Sequence, residues 1–188
     1  MSKTTIPTGG ITDGTIASGD LADDAVTAAK IADAVGLGKV LQAQSSSSNS
    51  RTTISSGSFG GCGLTDTITC AATSSKVLVI ISAQFACDSN NAAVTNTLAK
   101  FQLTRNHSGI SETEIYHTKE EHNRPENSGM DMIFAGNLSI IFLDSPSSTN
   151  ELTYTLNALI DPGTSGMEII SGGSNEHNKA ITLIEIGA

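Results

Sequence analysis

Near the start of the chain, Ile6, Ile11, Ile16, Leu21, Val26 and Ile31 stand five positions apart. That interval fits neither the period of an α-helix nor that of a strand. The residues between these anchors are small or polar, as in Ile11-Thr-Asp-Gly-Thr-Ile16 and Ile16-Ala-Ser-Gly-Asp-Leu21. One large apolar side chain in five cannot build a core inside a single chain. Copies of the segment can, by bringing the same rung to a shared axis. The competing reading is a compositionally biased, disordered tail. The Ala-rich stretch Leu21 to Val35 suits a helix capped by Asp20 and stopped by Gly36, though one marginal in isolation. Residues 1–39 are therefore expected to be a short extended and partly helical stalk or particle-anchoring arm.

From Val40 the pattern changes to strands separated by turn residues. Alternation is clear from Asn96 to Arg105 and from Leu152 to Ile160, each with one apolar side. Val77-Leu-Val-Ile-Ile81 is continuously apolar, as in a strand buried on both faces. Further strands are expected at Val40–Gln44, Leu64–Ala71, Leu138–Leu143 and Ala180–Ile186. Ser45–Ser50, Ser89–Thr95 and Lys119–Met130 are expected to be loops. Only 15% of the 188 residues are charged and 4% aromatic, with no Trp. Chains rich in Ser, Thr and Gly suit strands and turns better than long helices. About eight strands at hairpin spacing imply an all-β fold, an antiparallel β-sandwich of jelly-roll kind over residues 40–188.

The chemistry that the chain carries is sparse. A net charge of −9 with no local Lys/Arg cluster disfavours nucleic acid. No apolar leader precedes the repeat, and no apolar run approaches the ~20 residues of a membrane span, so a soluble protein without membrane insertion is expected. Cys62, Cys70 and Cys87 are odd in number and form no Cys-x-x-Cys pair, which points to small buried residues. His117-Thr-Lys-Glu-Glu-His122 pairs histidines with carboxylates, but a spacing of five puts them on opposite faces of a strand. A solvated loop is the better reading, with no metal and no cofactor. Gly57-Ser-Phe-Gly-Gly-Cys-Gly63 lacks the Lys-Ser/Thr of a phosphate loop and reads as turn chemistry. No Gly-x-Ser-x-Gly elbow occurs, and no catalytic residue can be named. The expected class is not an enzyme.

The stalk as text, Gly14-Thr-Ile-Ala-Ser-Gly-Asp-Leu-Ala-Asp-Asp-Ala-Val-Thr-Ala-Ala-Lys-Ile-Ala-Asp33, resembles the repeat of bacteriophage tail-fibre-like proteins. The later Gly63-Leu-Thr-Asp-Thr-Ile-Thr69, Ser74-Ser-Lys-Val-Leu-Val79 and Ala180-Ile-Thr-Leu-Ile-Glu-Ile186 resemble their end domains. The resemblance implies a homotrimeric virion component, assembled in the host cytoplasm with other tail or capsid proteins as partners. Only about one and a half stalk units are present, so a short tail fibre, a fibre tip or a capsid decoration protein all fit. The His-x-His pairs that hold an axial metal in some fibres are absent. If the protein instead acts as a carbohydrate-binding module, loops around Asn90, Asn91, His122 and Asn123 would face a host surface glycan.

Overall fold

The computed structural model describes residue 10 and residues 16–22, 39–55, 57–88, 96–107, 110–123, 133–160, 166–169 and 179–187. The chain divides into two units, Met1–Leu37 and Gly38–Ala188. In the first, the described residues contain one 3-10 turn, Ser18–Asp20. The Asp20 carboxylate accepts a hydrogen bond from the Ala17 N–H at 2.8 Å, and the Asp20 N–H donates to the Ala17 carbonyl at 2.9 Å.

The described strands of the second unit are β1 (Val40–Ser48), β2 (Thr52–Ile54), β3 (Gly60–Thr69), β4 (Lys76–Asp88) and β5 (Asn96–His107), followed by β6 (Ile110–Asn123), β7 (Ile133–Asp144), β8 (Glu151–Ile160), β9 (Gly166–Ile169) and β10 (Lys179–Ile186). They form two antiparallel sheets. One has the order β3-β8-β5-β6. The other runs β1-β10-β4-β7, with β9 continuing past β10 along the same side of β4 and carrying β2 outside it. Apart from the hairpin β5-β6, successive long strands cross from one sheet to the other. This is the connectivity of an eight-stranded jelly roll.

The core lies between the sheets. Alternation sends Val77, Val79, Ile81, Ala83 and Phe85 of β4 inward, against Phe101 and Leu103 of β5 and Leu152, Tyr154 and Leu156 of β8. Each such large apolar side chain contributes about 1.5–3 kcal/mol over its exposed state. Phe85 and Phe101 meet edge to face across the layers, with ring centroids 5.1 Å apart, the arrangement that aromatic quadrupoles favour. Tyr116 and Phe142 make a second aromatic contact, between β6 and β7, at 5.6 Å.

Three sequence expectations are corrected. The serine run is not a loop from Ser45: β1 continues to Ser48, because β10 pairs its backbone through Ser48↔Lys179, and Ser45 and Thr182 hydroxyls meet at 3.0 Å. Gly60–Gly63 is not merely a turn but opens β3, where four steps from Gly61 to Thr65 span only two on β8, from Asn157 to Thr155. This irregularity contains Gly63, whose φ of 64° suits glycine. Lys119–Asn123 is strand as well, since β6 runs on to Asn123 against Asn96 of β5. An edge strand with a wet outer side needs no apolar signal there.

Candidate interaction surfaces

Of the evenly spaced anchors, Ile16 and Leu21 lie among the described residues, on either side of the 3-10 turn, and are 52% and 47% exposed. Ile6, Ile11, Val26 and Ile31 lie outside the described residues, as do Asn90 and Asn91. His122 and Asn123 are not in a loop as expected. They end β6, with backbone partners Thr97 and Asn96. Position along the hairpin also separates the histidines. His107 sits at its turn, opposite Ile110, whereas His117 lies opposite Gln102. Among the described residues no group of three His, Cys, Asp or Glu is placed to hold a metal ion.

The outer face of the β3-β8-β5-β6 sheet is polar. Thr65 and Thr155 are cross-strand partners whose hydroxyls lie 3.2 Å apart. Gln102 donates to Glu114, and Glu114 Oε1 lies 2.8 Å from His117 Nδ1. Bonds from Gln102 and then His117 hold the Glu114 carboxyl below its ordinary pKa. Phe59, Lys100, Glu114, His117, Thr118 and Lys119 line an open depression of about 590 Å³. Both signs of charge and one ring 40% exposed meet there. Such a surface can exchange hydrogen bonds with hydroxyl-rich ligands.

The outer face of the β1-β10-β4-β7 sheet is the opposite. Register lines its outward side chains up in rows across the strands. One row is Ala43, Ile184, Leu78 and Leu143, and the next is Ser45, Thr182, Ile80 and Ile141. A flanking row runs Val40, Ile186 and Lys76, and the farthest is Ser47, Ala180, Ser82 and Ser139. Ile141 is 70% exposed, Val40 67% and Leu143 47%. The continuously apolar stretch of β4 thus has one side in the core and the other turned outward.

Three buried polar groups hold the sandwich closed, and sequence reasoning missed all three. Asp144 accepts bonds from Tyr154 Oη at 2.7 Å and from Arg105. Burial, reinforced by Asp144, keeps the Tyr154 hydroxyl protonated far above its usual range. Glu185 accepts from Gln42 Nε2 at 2.6 Å and from the Ala71 N–H at 2.7 Å, joining β10 to β1 and to the β3–β4 turn. Lys179 Nζ donates to the Cys62 carbonyl at 2.6 Å and to Thr52 Oγ1 at 2.9 Å. A Cβ at Gly63 would lie 2.9 Å from that hydroxyl. The available signal was parity, because Lys179 and Glu185 share a side with Ile181 and Leu183. The free cysteines are buried as expected. Burial pushes the thiols of Cys62 and Cys87 up to about 12 and about 11, so they are poor nucleophiles at neutral pH.

No family model matches the chain, and no curated protein matches it. Among solved structures, the Eiger TNF of S. frugiperda is similar over 57% of this chain and 58% of its own length, at 10% identity and a TM-score of 0.33. A structure of the infectious bursal disease virus Gx strain is similar over 79% of this chain and 39% of its own, at 13% identity and a TM-score of 0.26. The chain thus spans less than two thirds of either. Likenesses this slight carry no argument, and the jelly-roll assignment rests on the strand order.

Proposed function

We propose that the chain is a non-enzymatic structural protein of a bacteriophage virion, a homotrimeric short tail fibre or fibre tip that takes part in host attachment. The observation that carries this reading is the stalk. Its repeat reads like that of tail-fibre-like proteins, and Ile16 and Leu21, the two anchors in view, are exposed in the lone chain rather than folded into a core. Rungs of this kind gain burial only when copies share an axis. The strand-only domain then forms the outward end, with other virion proteins as partners of the arm and a host surface glycan as the partner of the domain. The polar depression beside Phe59 supports that last assignment.

The test is made on purified particles of the phage that encodes the chain. The reading expects the protein in the virion and expects the free protein to compete with particles for host cells. Particles that lack the protein and adsorb normally but fall apart on mild heating would make it a capsid decoration protein instead. Absence from the virion would overturn both. Release of reducing sugar from host polysaccharide would overturn the non-enzymatic part.

A further inference from the structure

We infer that the outer face of the β1-β10-β4-β7 sheet is a self-association surface, on which copies of this chain pack against one another. This deepens the trimer reading above and rests on it only for the number of copies.

Three observations carry it. First, the apolar character is organised. Leu78 and Ile80 of the central strand sit in register with Leu143 and Ile141 of the edge strand, so the exposed groups form a continuous patch rather than scattered singles. Contiguous patches mark interaction sites, whereas isolated exposed hydrophobics do not. Edge strand β7 is paired on one side only among the described residues, and its most exposed apolar side chain, Ile141, stands in the patch. Exposed apolar edges of this kind are normally blunted or covered.

Second, charge selects the occupant. The chain has 19 acidic and 10 basic residues, yet the four rows carry no acidic side chain and one basic one, Lys76 at the margin. A basic partner would be met by carboxylates, and an acidic one by several lysines or arginines. A surface nearly free of charge on a molecule of net charge −9 is where like-charged copies can approach with least repulsion.

Third, the patch is large enough to form the centre of an interface. Four strands ~4.8 Å apart and about seven residues of ~3.3 Å rise give roughly 450 Å² in plan. That exceeds half of the ~800 Å² that each partner brings to a stable interface. The row of Ser47, Ser82 and Ser139 supplies a polar rim to the apolar centre, the usual anatomy of such contacts. Closed symmetry keeps the patch buried in every copy and prevents open-ended growth.

The experiment compares the mass of the full-length chain with that of full-length Ile141→Asp/Leu143→Asp, by sedimentation velocity over a range of concentrations. Because the stalk rungs also bring copies together, the expected result is a dissociation constant raised at least tenfold, read as a fall in average mass at the low end of the range, with the far-UV strand signal unchanged. Thr67→Asp, on the outer face of the other sheet, should keep the parent mass. If the double variant loses its strand signal, Ile141→Thr is read instead and should raise the dissociation constant at least tenfold. A double variant that dissociates no more readily than the parent overturns the inference, as does a parent chain that is monomeric throughout or binds only lipid vesicles or a foreign protein through this face. Recovery of the chain in virions is a separate readout, so a virion protein whose double variant associates as tightly as the parent would overturn this inference alone.

Discussion

The two sheets share one core, yet their outer faces follow different rules. Over β3-β8-β5-β6 the outward residues include Thr65, Thr155, Gln102, Glu114 and His117, which hydrogen-bond among themselves. Over β1-β10-β4-β7 they include Leu78, Ile80, Ile141 and Leu143. Antiparallel sheets commonly present one wet face, and the first sheet does so. The second is built like a sheet covered on both sides, while the described residues cover only one. Folding of the domain therefore does not account for the second face, and the difference between the two is a difference in what each is for.

If that comparison is right, the core belongs equally to both sheets and the faces are separable from it. The largest effect is expected from Phe101→Ala. Phe101 is fully buried on the inner side of the polar-faced sheet and meets Phe85 of the other. Truncating it removes the ring contact and leaves a cavity, at a cost of about 3–5 kcal/mol. Chemical denaturation would measure this as a lower midpoint with little change in slope. A loss under about 1 kcal/mol would mean that the layers do not meet at this point.

A smaller effect, dependent on pH, is expected at Glu185. Burial pushes its carboxyl pKa up, but bonds from Gln42 and the Ala71 N–H outweigh that, and the net shift is downward. A depressed folded pKa gives stability that is present above the unfolded value, about 4.3, and is lost as pH falls through the folded one. Glu185→Gln should therefore cost about 1–3 kcal/mol near neutrality and flatten the acid limb below about pH 4–5. Melting curves of parent and variant across that range decide it. Parallel curves would show that the carboxylate is not what ties β10 to β1.

Much of the fold was legible in the sequence, for a physical reason. Where one side of a strand is core and the other wet, as in Leu152–Ile160, period-two alternation marks the strand and its inward side together. Buried Leu152, Tyr154 and Leu156 follow it. The strand Val77–Ile81 was legible as a strand, but the burial expected on both faces is met on one only: Val77, Val79 and Ile81 are buried, whereas Leu78 and Ile80 on the outward side are half-buried. What failed was polarity taken as a sign of loop. Ser45–Ser48 and Lys119–Asn123 are strands at the margins of sheets, where backbone pairing suffices. The candidate surfaces were harder still. A sheet face is assembled from strands far apart in sequence, so Ile80 and Ile141 become neighbours only once register is known. Asn90 and Asn91 lie outside the described residues, and with them the loop half of the glycan expectation.

The smallest effect is the sharpest control on the comparison. Thr67 is exposed on β3, opposite Thr153, on the wet face. Replacing it with Val keeps the β-branched shape and adds one apolar group to a polar surface. Away from buried features such changes stay within about ±0.5 kcal/mol, and the chain's mass in solution should not move. Ile141→Thr is the mirror change on the other face, similar in shape and opposite in polarity. If the two faces were equivalent, both substitutions would be silent in stability and in mass. The structure instead expects a silent Thr67→Val and an Ile141→Thr that weakens association while leaving the unfolding of the single domain nearly unchanged. Equal responses from the pair, in either direction, would show that the asymmetry between the faces has no energetic consequence.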